Sequence, residues 1–498
     1  MNISLILQMA ADAEPDRIGL VCDGRRWSYG ALWRAALGAA NSISNSGCSH
    51  VALLDESSEA SAIALFGAAI AGIPYVPLNY RLADADLAAL LKRIVPAYII
   101  GDAERVARLN PESGYHTTGR ATFVAEAERL ADSAASGEED DADIAVQLFT
   151  SGTTAAPKAA LLRHANLLPY ILGTVEFASA APEEAGLVSV PPYHIAGIAA
   201  LLSSIYSMRR IVMLPAFDPD AWLALASSER ATHAFVVPTM LARIIARMDA
   251  GAKVDLSSMQ AIAYGGGRMP PELIEHALEL FPDVGFTNAY GLTETSSTIA
   301  LLGPEEHRAA QRATDPNVRA RLSSVGKPLP TVQIEIRDEE GHGLSAGQCG
   351  EIYVRGDQVS GEYKERKALD KDGWFPTRDA GWIDADGYLF LAGRTDDVIV
   401  RGGENMSPGE IEDVLMTHPA IADAAAVGVP SVEWGEAVGI AIVAKPDQAL
   451  PSDDELRALI RNRLRSSRVP ERIARLDALP YNEMGKLLRR EVRALFRS

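Results

Sequence analysis

The chain has 498 residues, 48% of them hydrophobic and 23% charged, with a formal net charge of -19 at pH 7. That length exceeds what one hydrophobic core serves, so two or more domains are expected; the acidic balance excludes a general nucleic-acid binder, which needs a basic face. Three dispersed cysteines, Cys22, Cys48 and Cys349, lack metal-ligand or disulfide spacing and, with no secretory leader in view, point to a reducing, cytoplasmic location.

Short apolar runs at 51–54, 98–100, 211–214 and 234–237 alternate with Ala- and Leu-rich helical patterns. This alternation predicts an α/β fold of parallel sheets covered by helices. The stretches 60–73 and 195–205 read as buried helices, not membrane spans. An acidic linker at 136–143 leads into a strand at 145–149, and from 331 to 393 the texture becomes short β segments with Gly-containing turns. One hairpin joins 380–383 to 388–391 across Asp384, Ala385, Asp386 and Gly387. Beyond a boundary near 394–397 a strand at 398–400 is expected. It is followed by Gly402 and Gly403, suited to a ligand's close approach or to a plain turn, and by a capping box on Ser407, Pro408 and Glu410 that starts a helix. From 457 to 497 twelve basic residues stand against four acidic ones, a surface for a phosphate-bearing ligand or simply solvated helix faces.

Four clusters carry chemistry. After the 145–149 strand, Thr150, Ser151, Gly152, Thr153, Thr154 and Lys158 make a donor-rich loop able to face phosphate oxygens. The spacing is not that of a Walker A loop, which disfavours a P-loop NTPase. In Ala289, Tyr290, Gly291, Thr293 and Glu294 a ring can stack on a purine and a carboxylate can hold Mg²⁺, while Gly265 and Gly266 upstream offer bare backbone to an adenine. Asp379 is suited to two ribose hydroxyls, and Lys486 follows a glycine near the C-terminus. Each cluster alone also has a structural reading: a surface loop, a turn, a strand-entry Asp, an exposed Lys.

Taken together and in this order, the set resembles the adenylate-forming superfamily of acyl-CoA synthetases, peptide-synthetase adenylation domains and luciferases. The likeness runs from 27–32 to Lys486, through 150–158, 290–295 and 388–401. It implies a large N-terminal adenylation domain of stacked αβ layers (1–394) with a β-barrel-like subdomain at 331–394, and a mobile C-terminal α+β lid (395–498). The implied substrates are ATP with Mg²⁺, a carboxylic acid and coenzyme A. By the same resemblance Lys486 bridges carboxylate and α-phosphate, the 150–158 loop handles the outer phosphates, Tyr290 stacks on adenine beside Gly265 and Gly266, Thr293 reaches the α-phosphate and Glu294 holds Mg²⁺. Asp379 and Arg394 bind ribose, Asp396 is the hinge, and Gly402, Gly403, Trp434 and Arg81 serve coenzyme A.

The sequence departs from the family pattern at four positions. Ala155 and Ala159 stand where glycines are usual, which predicts a stiffer loop, and Ser467 and Glu471 replace an aromatic and a basic residue on the coenzyme A side. The acid is expected near 191–196, 236–237, Gly265 and 289–291, in an apolar pocket suited to an aromatic, alicyclic or medium-chain acid. There His194 gates or lines the pocket, or simply packs. A stand-alone enzyme loading a carrier protein in trans, and a non-catalytic binder of a nucleotide or acyl-adenylate, are the alternatives; a homodimer is an open assembly.

Overall fold

The computed structural model describes residues 1–109, 114–131, 143–150, 157–401, 404–446, 448–481 and 487–496. Among these, the strands form four sheets, two large, one of four strands and one of five. The larger of the two main sheets runs Lys327–Pro328, Ser297–Leu302, Gly285–Leu292, Ala261–Gly265, His233–Val236, Ala185–Val188, Arg210–Met213, Ile18–Cys22, Arg25–Ser28 in spatial order. Its central strands pair in parallel and its margins antiparallel. The second main sheet centres on His50–Leu54, Tyr75–Pro77, Ala97–Gly101 and Ile144–Thr150.

Between the two lies the largest core, fed by both sheets and by the helices Tyr29–Asn45, Glu59–Ile70 and Ile195–Tyr206. The Glu59–Ile70 helix is apolar all round because it is buried all round: eleven of its twelve residues are buried. The outer face of the larger sheet is closed by Pro219–Ser228, Pro238–Asp249 and Pro271–Leu280, whose apolar stripes meet Leu187, Val236, Ile262, Tyr264 and Phe286. Layers of helix and sheet therefore alternate, as the sequence pattern predicted.

Gln333–Arg337, Gly350–Arg355, Phe375–Ile383 and Leu389–Arg394 form the antiparallel four-stranded sheet, with the expected hairpin at its end. A smaller C-terminal unit carries the five-stranded sheet around Ile421–Ser431 and Gly435–Ala444. The helix Pro408–Met416 starts where expected, but the capping box does not form: Ser407 Oγ donates to the Ala392 carbonyl, 2.5 Å away, instead of accepting from its own helix. The hydroxyl thus ties the C-terminal unit to the preceding strand. Most of the acidic linker at 136–143 lies outside the described residues.

Candidate active site

A cavity of about 2720 Å³ opens where the central strands of the larger sheet end, lined by both units. Thr150 and Lys158 face each other as the last pair of an antiparallel ladder, so both loop ends stand at the rim; Ser151, Gly152, Thr153, Thr154 and Ala155 lie outside the described residues. Ala159 is fully buried within the Lys158–Arg163 strand, where an alanine is unstrained. It therefore belongs to the strand and not to the loop.

Tyr290 ends the buried run of the Gly285–Leu292 strand. Its hydroxyl donates to Asp379 Oδ2 (2.6 Å), Asp379 Oδ1 pairs with Arg394 Nε (3.0 Å), and Arg394 Nη1 donates to the Thr377 carbonyl (3.0 Å). Burial, then the Asp379 charge, pushes the Tyr290 phenol well up, so it stays a donor. Two residues from two sheets are thereby joined at the place expected for a nucleoside.

The turn after this strand is held by side chains. Thr295 Oγ1 accepts from Leu292 N–H (3.0 Å) and donates to the Ser297 carbonyl (2.8 Å), and Gln358 Nε2 spans the carbonyls of Thr295 and Thr298. Thr293 and Glu294 are thereby fixed on the cavity wall. Glu294 Oε1 accepts from Tyr363 Oη (2.5 Å), and the Lys158 ammonium lies 5.7 Å from the Tyr363 ring centroid. One hard carboxylate oxygen, with a lysine and a phosphate-type loop end nearby, is a donor set that fits Mg²⁺ held jointly with phosphates.

Gly265 departs from expectation. A Cβ there would stand 2.3 Å from the Ala289 carbonyl, so the glycine is demanded by the close approach of two strands. Gly266 (φ +77°) and Gly267 line the cavity in its place. Val236 also faces away, into the outer core; His233, Phe235 and, just past the strand, the expected Val237 line the cavity, with Ala234 at its margin. Because the strand period is two, adjacent residues face opposite ways.

His194 caps the Ile195–Tyr206 helix beside Tyr193, whose ring centroid is 4.5 Å away. Burial, then the charge of Arg81, lowers the imidazole to about 4, and its buried Nε2 meets no hydrogen-bond partner among the described residues. At neutral pH it is an uncharged ring at the pocket entrance. Arg81 itself is exposed, its guanidinium 5.5 Å from the Tyr80 ring centroid.

From the C-terminal unit, Tyr481 and Leu487 bridge each other and both line the cavity. Tyr481 Oη donates to Asp423 (2.8 Å), and Arg489 makes a fork on Glu412 (2.5 and 2.9 Å). Both ends of the 482–486 segment are thus pinned at the cavity mouth, although Lys486 lies outside the described residues. Arg268 of the N-terminal unit pairs with Asp413 across the cleft, with Glu412 3.8 Å away.

Of the described residues expected to serve coenzyme A, neither Arg81 nor Trp434 lines this cavity. Trp434 stands 42% exposed on the turn between Ile421–Ser431 and Gly435–Ala444, away from the cavity lining. Gly402 and Gly403 lie outside the described residues, and Asp396 belongs to the turn Thr395–Asp397. Beside Trp434, Arg401 donates to the Ser467 carbonyl and to Glu471, both at 2.7 Å, with its guanidinium 5.4 Å from the indole centroid.

Comparison with known proteins agrees with this geometry. The AMP-binding enzyme family matches residues 7–364, and the AMP-binding enzyme C-terminal domain matches 410–486. A fatty acid–[acyl-carrier-protein] ligase, ScoC, of Streptomyces coeruleorubidus is 32% identical over 98% of this chain and 95% of its own. A feruloyl-CoA synthase of Amycolatopsis is 32% identical over 95% and 94%. The crystal structure of ATP-bound MatB from Rhodopseudomonas palustris superposes with a TM-score of 0.88 at 25% identity, covering 100% of this chain and 99% of that one. No helix among the described residues is long and apolar enough to cross a membrane. The two family matches and these relatives lead to one conclusion: the chain belongs to the AMP-binding enzyme family, as an adenylate-forming ligase of the acyl-CoA synthetase type.

Proposed function

We propose that the chain activates an apolar carboxylic acid with MgATP and transfers the acyl group to coenzyme A in the cytoplasm. The observation that carries this reading is the single cavity in which Thr150, Lys158, Glu294 and the Tyr290–Asp379–Arg394 triad meet an apolar channel. In the first step a carboxylate oxygen attacks the α-phosphorus, and the bond to pyrophosphate breaks. Two anions must meet there, so cationic groups and hydrogen-bond donors must await the charge that builds on the phosphorus. Lys158 and the 150–158 loop take the outer phosphates and Thr293 the α-phosphate, while Asp379 and Arg394 take the ribose. Tyr290 lies against the adenine beside Gly266, Ala289 and Gly291, and Lys486 bridges carboxylate and phosphate. Mg²⁺, held by Glu294, supplies charge neutralisation on the phosphates.

In the second step a thiolate attacks the acyl carbon and AMP leaves. A body of 1–394, with its subdomain at 331–394, and a lid of 395–498 turning about Asp396 would exchange Lys486 for Gly402 and Gly403. Arg81 and Trp434 would then meet coenzyme A. One observation favours a second acceptor: Glu471 neutralises Arg401 beside Trp434, where a coenzyme A phosphate would want free positive charge. A phosphopantetheine carrier protein suits that face, and ScoC carries such a ligase name.

The test is pyrophosphate release with MgATP across a panel of acids, with coenzyme A, with a pantetheinylated carrier, and with neither. Acid-stimulated release with thioester only on coenzyme A is the expected result; thioester only on the carrier reassigns the acceptor. Lys486→Ala should nearly abolish release yet spare thioester formation from supplied acyl-adenylate, and equal loss of both steps would sink the role of Lys486.

A further inference from the structure

The cavity continues well below the level of Gly266. On the strands that floor it, alternate residues face inward, and in Ala261–Gly265 and Gly285–Leu292 these are the partly exposed positions of otherwise buried strands. The ladder sets Gly186 beside His233 and His233 beside Ala261, with Phe235 beside Ala263 one step higher. From Gly265 down to Ala261 is four residues, about 13 Å at strand rise. The roof is one face of the Ile195–Tyr206 helix, where Ala196, Ala199, Ala200, Ser203 and Ser204 recur at helical spacing. From Ala196 to Ser204 it descends about 12 Å. Small residues on both walls leave a channel of that depth.

The far end of this channel is polar. Arg209 and His233 line it, and Ser204 Oγ and Arg209 Cδ each stand 3.6 Å from where a Cβ on Gly186 would be. Arg209 commits Nε (3.0 Å) and Nη2 (2.9 Å) to Glu184 Oε2, and Nη1 has no partner among the described residues. Thr232 Oγ1 accepts from Ala185 N–H (2.9 Å) and donates to the Ala185 carbonyl (3.1 Å). Its 2.8 Å contact with His233 Nδ1 is therefore filled by Nδ1–H, which Glu184 Oε2 also favours from 3.8 Å. Nε2 is left as an acceptor. Burial, then the Arg209 charge, holds this imidazole neutral, at about 4. The cluster thus has a donor, an acceptor and no net charge.

Building on the ligase reading above, we propose that this far end is a subsite for a neutral hydroxyl on the acyl substrate, donating to His233 Nε2 and accepting from Arg209. The substrate class is an apolar carboxylic acid with an aliphatic or phenolic hydroxyl about 13 Å from the activated carboxyl. A second carboxylate would face Glu184 and is disfavoured.

The test compares matched acids, with and without the terminal hydroxyl, in an aryl pair and an alkyl pair, on wild type and His233→Leu. Pyrophosphate release reads turnover, and calorimetric binding of the same acids reads the subsite without turnover. Leaving a buried donor or acceptor unmatched predicts roughly tenfold to hundredfold preference for the hydroxylated acid in wild type. In His233→Leu the preference should vanish while the unsubstituted acid is retained. His233→Asn, which keeps a polar side chain, covers the case in which the leucine variant fails to fold, and should reduce the preference. Robust release with no preference in either protein would overturn the subsite and keep the ligase. Preferential binding without release would keep the subsite and overturn the ligase reading.

Discussion

Replacing His194 with phenylalanine should make the protein less sensitive to mild acid. The imidazole is held at about 4, against an ordinary 6.5, by burial first and the Arg81 charge second. A lowered histidine means that the unfolded chain takes up a proton which the folded chain refuses. That penalty begins as pH falls below about 6.5 and stops growing below about 4, so stability rises with pH through this window. Between pH 7 and pH 5 about 1.5 units of the window are crossed, costing about 2 kcal/mol at 1.36 kcal/mol per unit. Phenylalanine keeps the ring beside Tyr193 and does not titrate. Urea unfolding at pH 5, 6 and 7 should show His194→Phe losing about 2 kcal/mol less than wild type over that range, whatever the two differ by at pH 7. Carboxylates elsewhere titrate alike in both proteins, so they cancel. Parallel pH curves would refute the buried neutral imidazole, and with it the view that His194 lines the pocket as an uncharged ring.

Asp379→Asn removes the charge that holds Arg394 and accepts from Tyr290. Losing charge-assisted hydrogen bonds worth about 1.5–3 kcal/mol should raise the ATP KM roughly tenfold or more at unchanged acid KM; an unaltered ATP KM would remove the triad from nucleotide binding. Arg268→Ala deletes the half-exposed pairing with Asp413 across the cleft. At about 0.2–1 kcal/mol for such a pair, pyrophosphate release should fall by no more than about fivefold. Thioester formation from supplied acyl-adenylate should be unaffected, and equal slowing of both steps would show that the pair does not favour one lid position.

Much of the fold was legible because its strands are short apolar runs between helical stretches. The runs at 51–54, 98–100, 211–214 and 234–237 fall on His50–Leu54, Ala97–Gly101, Arg210–Met213 and His233–Val236, each within a residue or so. The grouping of four candidate residues around one cavity was legible for a different reason. Asp379, Arg394, Tyr290 and Glu294 lie in dense local clusters, and the structure brings their side chains around one cavity. The channel proposed for the acyl group was not legible in the same way. Its residues come singly from several strands and one helix, and only parity decides which of two neighbours faces in. Of the expected pair, Val237 lines the cavity and Val236 packs in the core, while His233 and Phe235, which strict alternation along the strand pairs, line it unexpectedly. Gly265 misled for another reason: a glycine needed for strand contact and one needed for ligand contact look the same in a sequence.

The two faces of the central strands answer to separate demands. Ile262, Tyr264 and Phe286 point into a filled core, where trimming a side chain leaves a hole that costs several kcal/mol. Ala261, Ala263 and Phe235, their immediate neighbours, border open space, where under the proposed function a change of size would alter which acid fits and little else. Pocket shape can therefore drift one side chain at a time while the scaffold stays intact. A library confined to the inward row would explore new acids with few misfolded members.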